Sequence, residues 1–305
     1  MRSSNKNRRP RNADYFERIN CVLDRIYEDI TQPLNLTELA GLADLSPFHF
    51  HRVFQAMVGE TPGDFVKRLR LEKSLHQMCF GKRTSLTEIA LESGFSSASD
   101  FSRSFKQRYG TAPSKFDAAA WRSQHASRLE PNSDTKPFML TQSPPRANPD
   151  QFRVRIRELP ARRVAYIRVS NPYVGNAVFA AAGRLVAWAE ARGCADGQWL
   201  GYQFENPELT ALEDCRYNVA VELDRNFDAE GEVGIFYFPP MLVAEVAMKG
   251  DLFLELRLLQ WLYGSWLPRS KYVPADHPCF EVWKGRPFAD GVESFELRIH
   301  LPIRL

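Results

Sequence analysis

Cysteine is scarce in this chain of 305 residues, and its five copies form no pattern that indicates disulfide bonds or a thiolate zinc site. They are odd in number and widely spaced, without a C-x-x-C pair. Long apolar runs are also missing, because the longest candidate, residues 169–183, is shorter than the roughly 18 apolar residues of a membrane-spanning helix. The amino terminus is polar and basic, unlike a secretory signal. We therefore expect a cytoplasmic protein that does not cross a membrane.

Catalytic and nucleotide-binding motifs are absent as well. The sequence has no H-E-x-x-H, G-x-S-x-G, G-x-x-x-x-G-K or G-x-G-x-x-G motif, so nothing indicates a metalloprotease, an esterase, a nucleotide triphosphatase or a dinucleotide enzyme. His49 and His51 lie two residues apart and diverge on a helix, which makes them a poor metal pair. We therefore predict no catalytic residue, no metal site and no cofactor, and we expect a protein that is not an enzyme.

Charge and composition divide the chain into two parts. Residues 1–125 contain 19 Lys and Arg against 14 Asp and Glu, a net charge of +5, whereas the remainder contains 21 against 23. The basic part is the candidate for contact with a polyanion. Residues 1–12 are polar and basic, typical of a disordered tail, and residues 122–151 contain five prolines, typical of a linker. We expect two domains, at residues 13–121 and 152–305.

The first domain contains an internal repeat. The segment "SPFHFHRVFQAMVGETP", residues 46–62, is echoed by "SASDFSRSFKQRYGTAP", residues 97–113, with Ser, Phe, Arg, Phe, Gly and Pro at matching positions. In each copy a serine can cap the helix that follows it, and a glycine can end that helix. A shorter helical segment precedes each copy, with "LTELA" matching "LTEIA". The repeat therefore predicts two helix-turn-helix units in an all-helical domain.

The second helix of each copy has an apolar face and a polar face. Phe50 and Phe54 in the first copy, and Phe101 and Phe105 in the second, have the spacing of inward-facing residues. The opposite faces each carry an arginine among small or polar side chains. Arginine can donate two hydrogen bonds to a guanine in the major groove. Two such helices can bind adjacent major grooves about 34 Å apart, so the pattern indicates double-stranded DNA as a partner.

Residues 15–121 resemble the DNA-binding domain of the AraC/XylS family of transcriptional regulators, most clearly in "SLTEIALESGFSSASDFSRSFKQRYGTAPSKF". The resemblance implies two helix-turn-helix units joined by a long helix, here about residues 62–79. It also implies RNA polymerase as a further partner. The DNA-contacting candidates that it implies by position are Phe48, His51 and Arg52 in the first recognition helix, and Ala98, Ser99, Ser102, Arg103 and Lys106 in the second.

After the linker, the apolar period changes from helical to alternating. "FRVRIREL" and "VAYIRV" alternate apolar and polar residues, residues 178–192 are helical in pattern, and two strand-like runs follow. The order recurs further along, with Val164-Ala165 matching Val243-Ala244 at an offset of 79 residues. This predicts an α+β domain built from a duplicated strand-helix-strand-strand unit.

The offset of 79 residues also brings together a candidate ligand site. It places Tyr202 opposite Glu281, and strand alternation in "CFEVW" places Cys279, Glu281 and Trp283 on one face. A carboxylate beside aromatic walls suits a cationic ligand or a ligand with a flat apolar body. The alternative interpretation is a strand glutamate at the sheet edge beside a core tryptophan.

Residues 153–305 resemble the GyrI-like effector-binding domains of multidrug-responsive regulators, through "VAYIRVSNPY", "RYNVAVEL" and "PADHPCFEVW". The resemblance implies a small-molecule pocket that contains Glu281, and the domain order resembles that of Rob-like regulators. The ligand-binding candidates are Glu281, Tyr202, Trp283, Tyr173 and Trp261.

The leading hypothesis is a DNA-binding transcriptional regulator that a small-molecule effector modulates through its carboxy-terminal domain. A second hypothesis is a hydrolase of electrophilic small molecules, because some GyrI-like domains are such enzymes, with Glu281 and Tyr202 as general base and positioning donor. A third hypothesis is a module that binds a partner protein through the same cleft.

Overall fold

The computed structural model of the chain describes residues 15–81, 84–118, 120–121, 148–207, 209–289 and 294–305. The predicted tail, residues 1–12, and most of the predicted linker, residues 122–147, lie outside the described residues. No helix in these ranges is long and apolar enough to cross a membrane.

The first part of the chain is helical. Its main described helices are α1 (Tyr15–Glu28), α2 (Leu36–Leu42), α3 (Pro47–Val58), α4 (Pro62–Phe80), α5 (Leu86–Glu92) and α6 (Ala98–Tyr109). Helices α3 and α6 begin as the repeat predicts, because the side chains of Ser46 and Ser97 each accept the backbone N–H three residues further on. Gly59 and Gly110 end them with φ of 90° and 76°, in the left-handed region that favours glycine. The two helix-turn-helix units are therefore confirmed.

Helix α4 connects the two units and belongs to both of their cores. Phe65 and Leu69, in its first half, pack in one apolar cluster with Phe50 and Phe54 of α3. Leu71 and Leu75, in its second half, pack in another cluster with Phe101 and Phe105 of α6. A single helix packed at both ends fixes the separation of the units, since interior packing is dense and transmits strain.

The second part of the chain is an antiparallel sheet with two helices. Its described elements are β1 (Arg155–Leu159), β2 (Arg162–Ser170), α7 (Ala177–Ala191), β3 (Trp199–Gln203), β4 (Arg216–Glu222), β5 (Val233–Phe238), β6 (Met241–Gly250), α8 (Leu252–Trp261), β7 (Val273–Pro274), β8 (Cys279–Trp283) and β9 (Phe295–Arg304). The strand order is β1-β6-β9-β8-β3-β4-β2-β5, and β7 pairs with β9. The helical region is therefore followed by an antiparallel α+β domain, as expected.

The two faces of the sheet bury different residues. One face, here called the helix face, packs against α7 and α8 through aliphatic side chains such as Ala165, Val219 and Val246. The other, here called the aromatic face, is defined by the buried rings of Tyr166, Tyr202, Phe236, Phe238 and Phe280. Helix α1 of the helical domain contacts the aromatic face at β5.

His300 of β9 gives the stability of the fold a dependence on pH. Burial lowers the pKa of His300 to about 4; the bond to Glu245, with 3.1 Å between Nε2 and Oε2, raises the pKa, and Arg162 and Arg298 lower it. The unfolded chain, with a histidine pKa of 6.5, binds this proton more readily than the folded chain. Stability from this group is therefore fully present above pH 6.5 and is lost as pH falls towards 4.

We expect the free energy of unfolding to lose about 2 kcal/mol through His300 between neutral pH and about pH 5. Urea unfolding of the wild type and of His300→Gln at both pH values measures this loss, because glutamine does not titrate. An equal fall in both proteins would contradict the assignment to His300.

Candidate functional site

The exposed face of α3 carries all three side chains that were predicted for the first recognition helix. Phe48 is 74% exposed, Arg52 is exposed and His51 is half-buried. The guanidinium carbon of Arg52 lies 5.9 Å from the centre of the Phe48 ring. Phe50 and Phe54 on the opposite face are fully buried, which fixes the direction in which Arg52 projects.

Helix α6 has the same arrangement. Ser99, Ser102, Arg103 and Lys106 are exposed, and Ala98 at the first position is half-buried. The basic side chains and serine hydroxyls on this face are all hydrogen-bond donors, which suits phosphates and the acceptor edges of bases. The eight predicted DNA-contacting residues thus lie on the outer or partly exposed faces of α3 and α6, and their contacts with DNA stay predictions.

A cavity of about 1390 Å³ lies against the sheet. Its wall includes four of the five predicted ligand-binding residues, Glu281, Trp283, Tyr173 and Tyr202, together with Cys279 of the same strand as Glu281. The Tyr173 hydroxyl lies 3.2 Å from Gln203 Oε1. The cavity therefore presents a carboxylate among aromatic rings, which is a suitable environment for an organic cation.

Glu281 of β8 is hydrogen-bonded by a side chain of β4, which is the second strand from β8 in the sheet. The Tyr217 hydroxyl donates to Glu281 Oε2 at 3.0 Å. Gly201 of β3 lies between them and is the strand partner of Glu281. A Cβ at this position would overlap the Tyr217 hydroxyl, so glycine is what lets the ring cross β3 to the carboxylate.

A second carboxyl group, Glu255 in the first turn of α8, accompanies Glu281. Burial raises the pKa of Glu255 well above its ordinary value, and the neighbouring Glu281 raises it further. Burial also raises the pKa of Glu281, against the lowering effect of the hydrogen bonds from Tyr217 and Glu255. The pair is thus poised to hold one proton between two carboxyl groups.

Sequence reasoning missed both Tyr217 and Glu255. The available signal for Glu255 was an acidic residue within the otherwise apolar run "LFLEL". For Tyr217 the signal was the alternation of β4, where a tyrosine shares a face with Val219 and Val221. Neither signal indicates by itself that the side chain meets Glu281.

The predicted juxtaposition of Tyr202 with Glu281 is wrong. Gly201 pairs with Glu281 and Tyr202 pairs with Phe280, so the side chain of Tyr202 lies on the aromatic face. A register shifted by one residue moves a side chain to the other face of a sheet, which explains the error. Tyr202 still borders the cavity.

Trp261 lies away from the cavity around Glu281. Its ring packs on Phe152, with the ring centres 5.6 Å apart. Trp261 also lines a separate small hollow with Ser265 and Trp266. Among the described residues, no group of three or more His, Cys, Asp and Glu side chains is arranged to hold a metal ion.

Two groups of contacts at α1 connect the helical and sheet domains. Tyr27 of α1 stacks on Phe204 with ring centres 4.1 Å apart. Asp24 of α1 accepts hydrogen bonds from Tyr166 and Arg168, each at 2.8 Å. These side chains are largely buried, so the two domains share a continuous interface at α1 and the aromatic face.

Models of two known families match the chain. A helix-turn-helix domain matches residues 39–119, and the GyrI-like small molecule binding domain matches residues 152–304, half of the chain. The chain is 32% identical over 102 residues to the probable transcriptional regulator LumQ of Photobacterium leiognathi, covering 33% of this chain and 41% of LumQ. It is 36% identical over 86 residues to the probable transcription factor PqrA of Proteus vulgaris, covering 27% of this chain and 67% of PqrA.

Among solved structures, the DNA-binding domain of the global transcriptional factor AdpA, in complex with a target DNA, matches with 22% identity and a TM-score of 0.32. That match covers 35% of this chain and 96% of the AdpA domain. The chain spans less than half the length of LumQ. By the models that match it, the chain belongs to the family of GyrI-like small molecule binding domains, and it carries an AraC-type helix-turn-helix domain ahead of that domain.

Proposed function

We propose that the chain is a transcriptional regulator that binds a specific DNA sequence through α3 and α6, in two adjacent major grooves. The observation that carries this proposal is the pair of equivalent helices, each with an outward arginine, Arg52 or Arg103, opposite a buried phenylalanine face. Helix α4 packs into both units and holds them at one separation. Relatives named as transcriptional regulators support the same function.

The effector in this proposal is a small cation, or a flat aromatic molecule with a donor group, that binds at Glu281. The support is a carboxylate that a tyrosine positions among aromatic rings in a large cavity. Organic cations are attracted both to the charge and to the ring faces. The repeated order of hairpin, helix and strands also leads us to infer that the effector domain arose from a duplicated unit, with β2 equivalent to β6 and β4 to β9.

Effector binding has a short structural route to the DNA-binding domain. Tyr217 and Asn218 are adjacent on β4, so their side chains lie on opposite faces of the sheet. Tyr217 donates to Glu281, while Asn218 accepts from Arg168 Nε at 3.0 Å. Arg168 also pairs with Asp24 of α1 at 2.8 Å. A ligand that moves Tyr217 is therefore expected to disturb the contact that holds α1.

Regulation, rather than catalysis, is the function that we propose for the effector domain. The hydrolase hypothesis requires Glu281 and Tyr202 to act together as general base and positioning donor. Their side chains lie on opposite faces of the sheet. We keep RNA polymerase as a proposed partner of the DNA-bound chain, on the grounds of the relatives' names alone.

Selection of bound sequences from a random duplex library tests the proposed function. The full chain is used at one fixed salt concentration, because phosphate contacts make affinity salt-dependent. We expect a motif in two parts, separated by about one helical turn of DNA. Binding without any enriched sequence would contradict a sequence-specific regulator.

A further inference from the structure

The cavity around Glu281 continues across the boundary between the two domains. Its wall includes Tyr27 at the end of α1 and Leu69, Glu72 and Lys73 of α4. The Lys73 ammonium group pairs with Asp276 of the effector domain at 3.1 Å and so bridges the boundary. A molecule that fills the cavity therefore contacts the DNA-binding domain directly.

Behind this part of the wall lies a largely buried network of charged side chains from both domains. Arg68 binds Glu60 at 2.7 Å and Glu72 at 3.0 Å. A guanidinium nitrogen of Arg108 lies 3.1 Å from a carboxyl oxygen of Asp214 and 3.8 Å from one of Glu72. A guanidinium nitrogen of Arg216 lies 3.6 Å from a carboxyl oxygen of Glu205. The network thus sets three guanidinium groups against four carboxyl groups, which are Glu60, Glu72, Glu205 and Asp214.

Only carboxyl groups of this network line the cavity. Glu72 and Glu205 line the cavity, whereas the three arginines of the network are not part of its described wall. Glu72 and Glu205 are 8% and 3% exposed, so little water competes for them. The side of the network that faces the cavity therefore presents buried carboxyl groups and no guanidinium group.

Besides the Tyr202 hydroxyl, two buried polar atoms of residues that line the cavity have no hydrogen-bond partner among the described residues. They are Oε2 of Glu72 and Oγ1 of Thr210, and Thr210 is 3% exposed. Buried polar groups are rarely left without a partner. Burial raises the pKa of Glu72 to about 7; Arg68 acts against this rise and Glu205 adds to it. A cationic donor at this wall would both satisfy Oε2 and stabilise the ionised carboxylate.

We propose that Glu72, Glu205 and Thr210 form a second cation subsite, so that the cavity takes an elongated dication with one charge at Glu281 and the other at helix α4. The inference rests on the proposed function for the first charge, at Glu281. Leu256 and Leu259 of α8 also line the cavity and suit an apolar spacer between the two charges. The ligand class is an α,ω-diamine or a similar bis-cation.

The second subsite gives such a ligand a direct effect on DNA binding. Glu72 lies on α4, the helix that packs into the cores of both helix-turn-helix units. A charge bound at Glu72 acts on the network of Arg68 and Arg108, and Arg108 belongs to α6, the second recognition helix. Dications are therefore expected to change DNA affinity more than monocations of equal length.

Calorimetric titration of the full chain with decane-1,10-diamine and with decylamine tests the inference. The two probes share one apolar chain and differ by one ammonium group; shorter and longer diamines vary the distance between the charges. We expect the best diamine to bind about tenfold more tightly than the monoamine of equal length, the value of one charge-assisted hydrogen bond. Glu72→Gln is expected to remove that advantage and to leave decylamine binding unchanged.

Glu60→Gln is the matched control, because Glu60 belongs to the same network but does not line the cavity. Thr210→Val removes a hydroxyl that has no described partner, and it is expected to weaken only the diamine. Equal affinities for diamine and monoamine over the whole length series would overturn the second subsite, as would equal losses in Glu60→Gln and Glu72→Gln. If Glu281→Gln changes the affinity of neither probe, the proposed effector site at Glu281 fails, and the bridging dication fails with it.

Discussion

Replacement of both Arg52 and Arg103 by alanine is expected to abolish selective DNA binding while the chain stays folded. Both side chains are exposed on helices whose opposite faces are buried, so their removal leaves the core intact. Each arginine that reaches a base edge contributes roughly 1–3 kcal/mol of discrimination. Each single variant is expected to lose one part of the selected motif and to keep the other.

Arg153→Ala is the charge-matched control for this experiment. Arg153 is exposed in the effector domain and distant in sequence from both recognition helices. If Arg153→Ala lowers affinity as much as the recognition-helix variants, the effect is one of net charge. Specific binding by the double variant with an unchanged motif would show that other residues read the bases.

The duplicated helices could be predicted because their signals are local. Helices α3 and α6 begin and end at the expected caps, which are Ser46 and Gly59 for α3 and Ser97 and Gly110 for α6. The spacing of the apolar residues also identified the buried face of each helix. The long helix predicted at residues 62–79 is α4, Pro62–Phe80. Capping and helical periodicity act over a few residues, so one sequence is enough to detect them.

The ligand cavity could be predicted only in part, because its geometry depends on strand register. Glu281 was identified together with its strand neighbour Trp283, but the tyrosine that contacts it is Tyr217 rather than Tyr202. A weak sequence repeat at a fixed offset cannot distinguish two strand registers that differ by one residue. A shift of one residue moves each side chain of the strand to the other face of the sheet. Glu255 approaches from α8, and helix-to-strand contacts leave no periodic signal.

The contact surface between the two domains could not be predicted from the sequence. Nothing in the local sequence around Tyr27 indicates a contact with the other domain, yet its ring stacks on Phe204 of that domain. Arg68 and Glu72 lie at i and i+4 of α4, and both are buried in the network between the domains. These residues are buried because the surfaces of the two domains pack together. The sequence pattern within a single helix or strand carries no information on that packing.

Glu281→Gln is expected to weaken a cationic ligand by about 2–5 kcal/mol, the cost of removing one partner from a buried charge pair. Glutamine has nearly the same shape and keeps an oxygen that can accept the Tyr217 hydroxyl, so the fold is expected to survive. Burial raises the pKa of Glu281, which favours the neutral form of this carboxyl group in the ligand-free domain. Titration calorimetry with benzyltrimethylammonium, a monocation with an aromatic body, measures the loss, and thermal unfolding checks the fold.

Glu158→Gln is the matched control for this substitution, because Glu158 is exposed on β1 and does not line the cavity. The ligand loss should be confined to Glu281→Gln and should grow at low salt, where the field of a partly buried carboxylate is screened least. A neutral aromatic analogue of equal size is expected to bind both variants equally, since it uses the rings and not the charge. Equal loss of the cation and the neutral analogue in Glu281→Gln would mean that the carboxylate shapes the cavity rather than recognising charge, since only a charge contact distinguishes the two ligands.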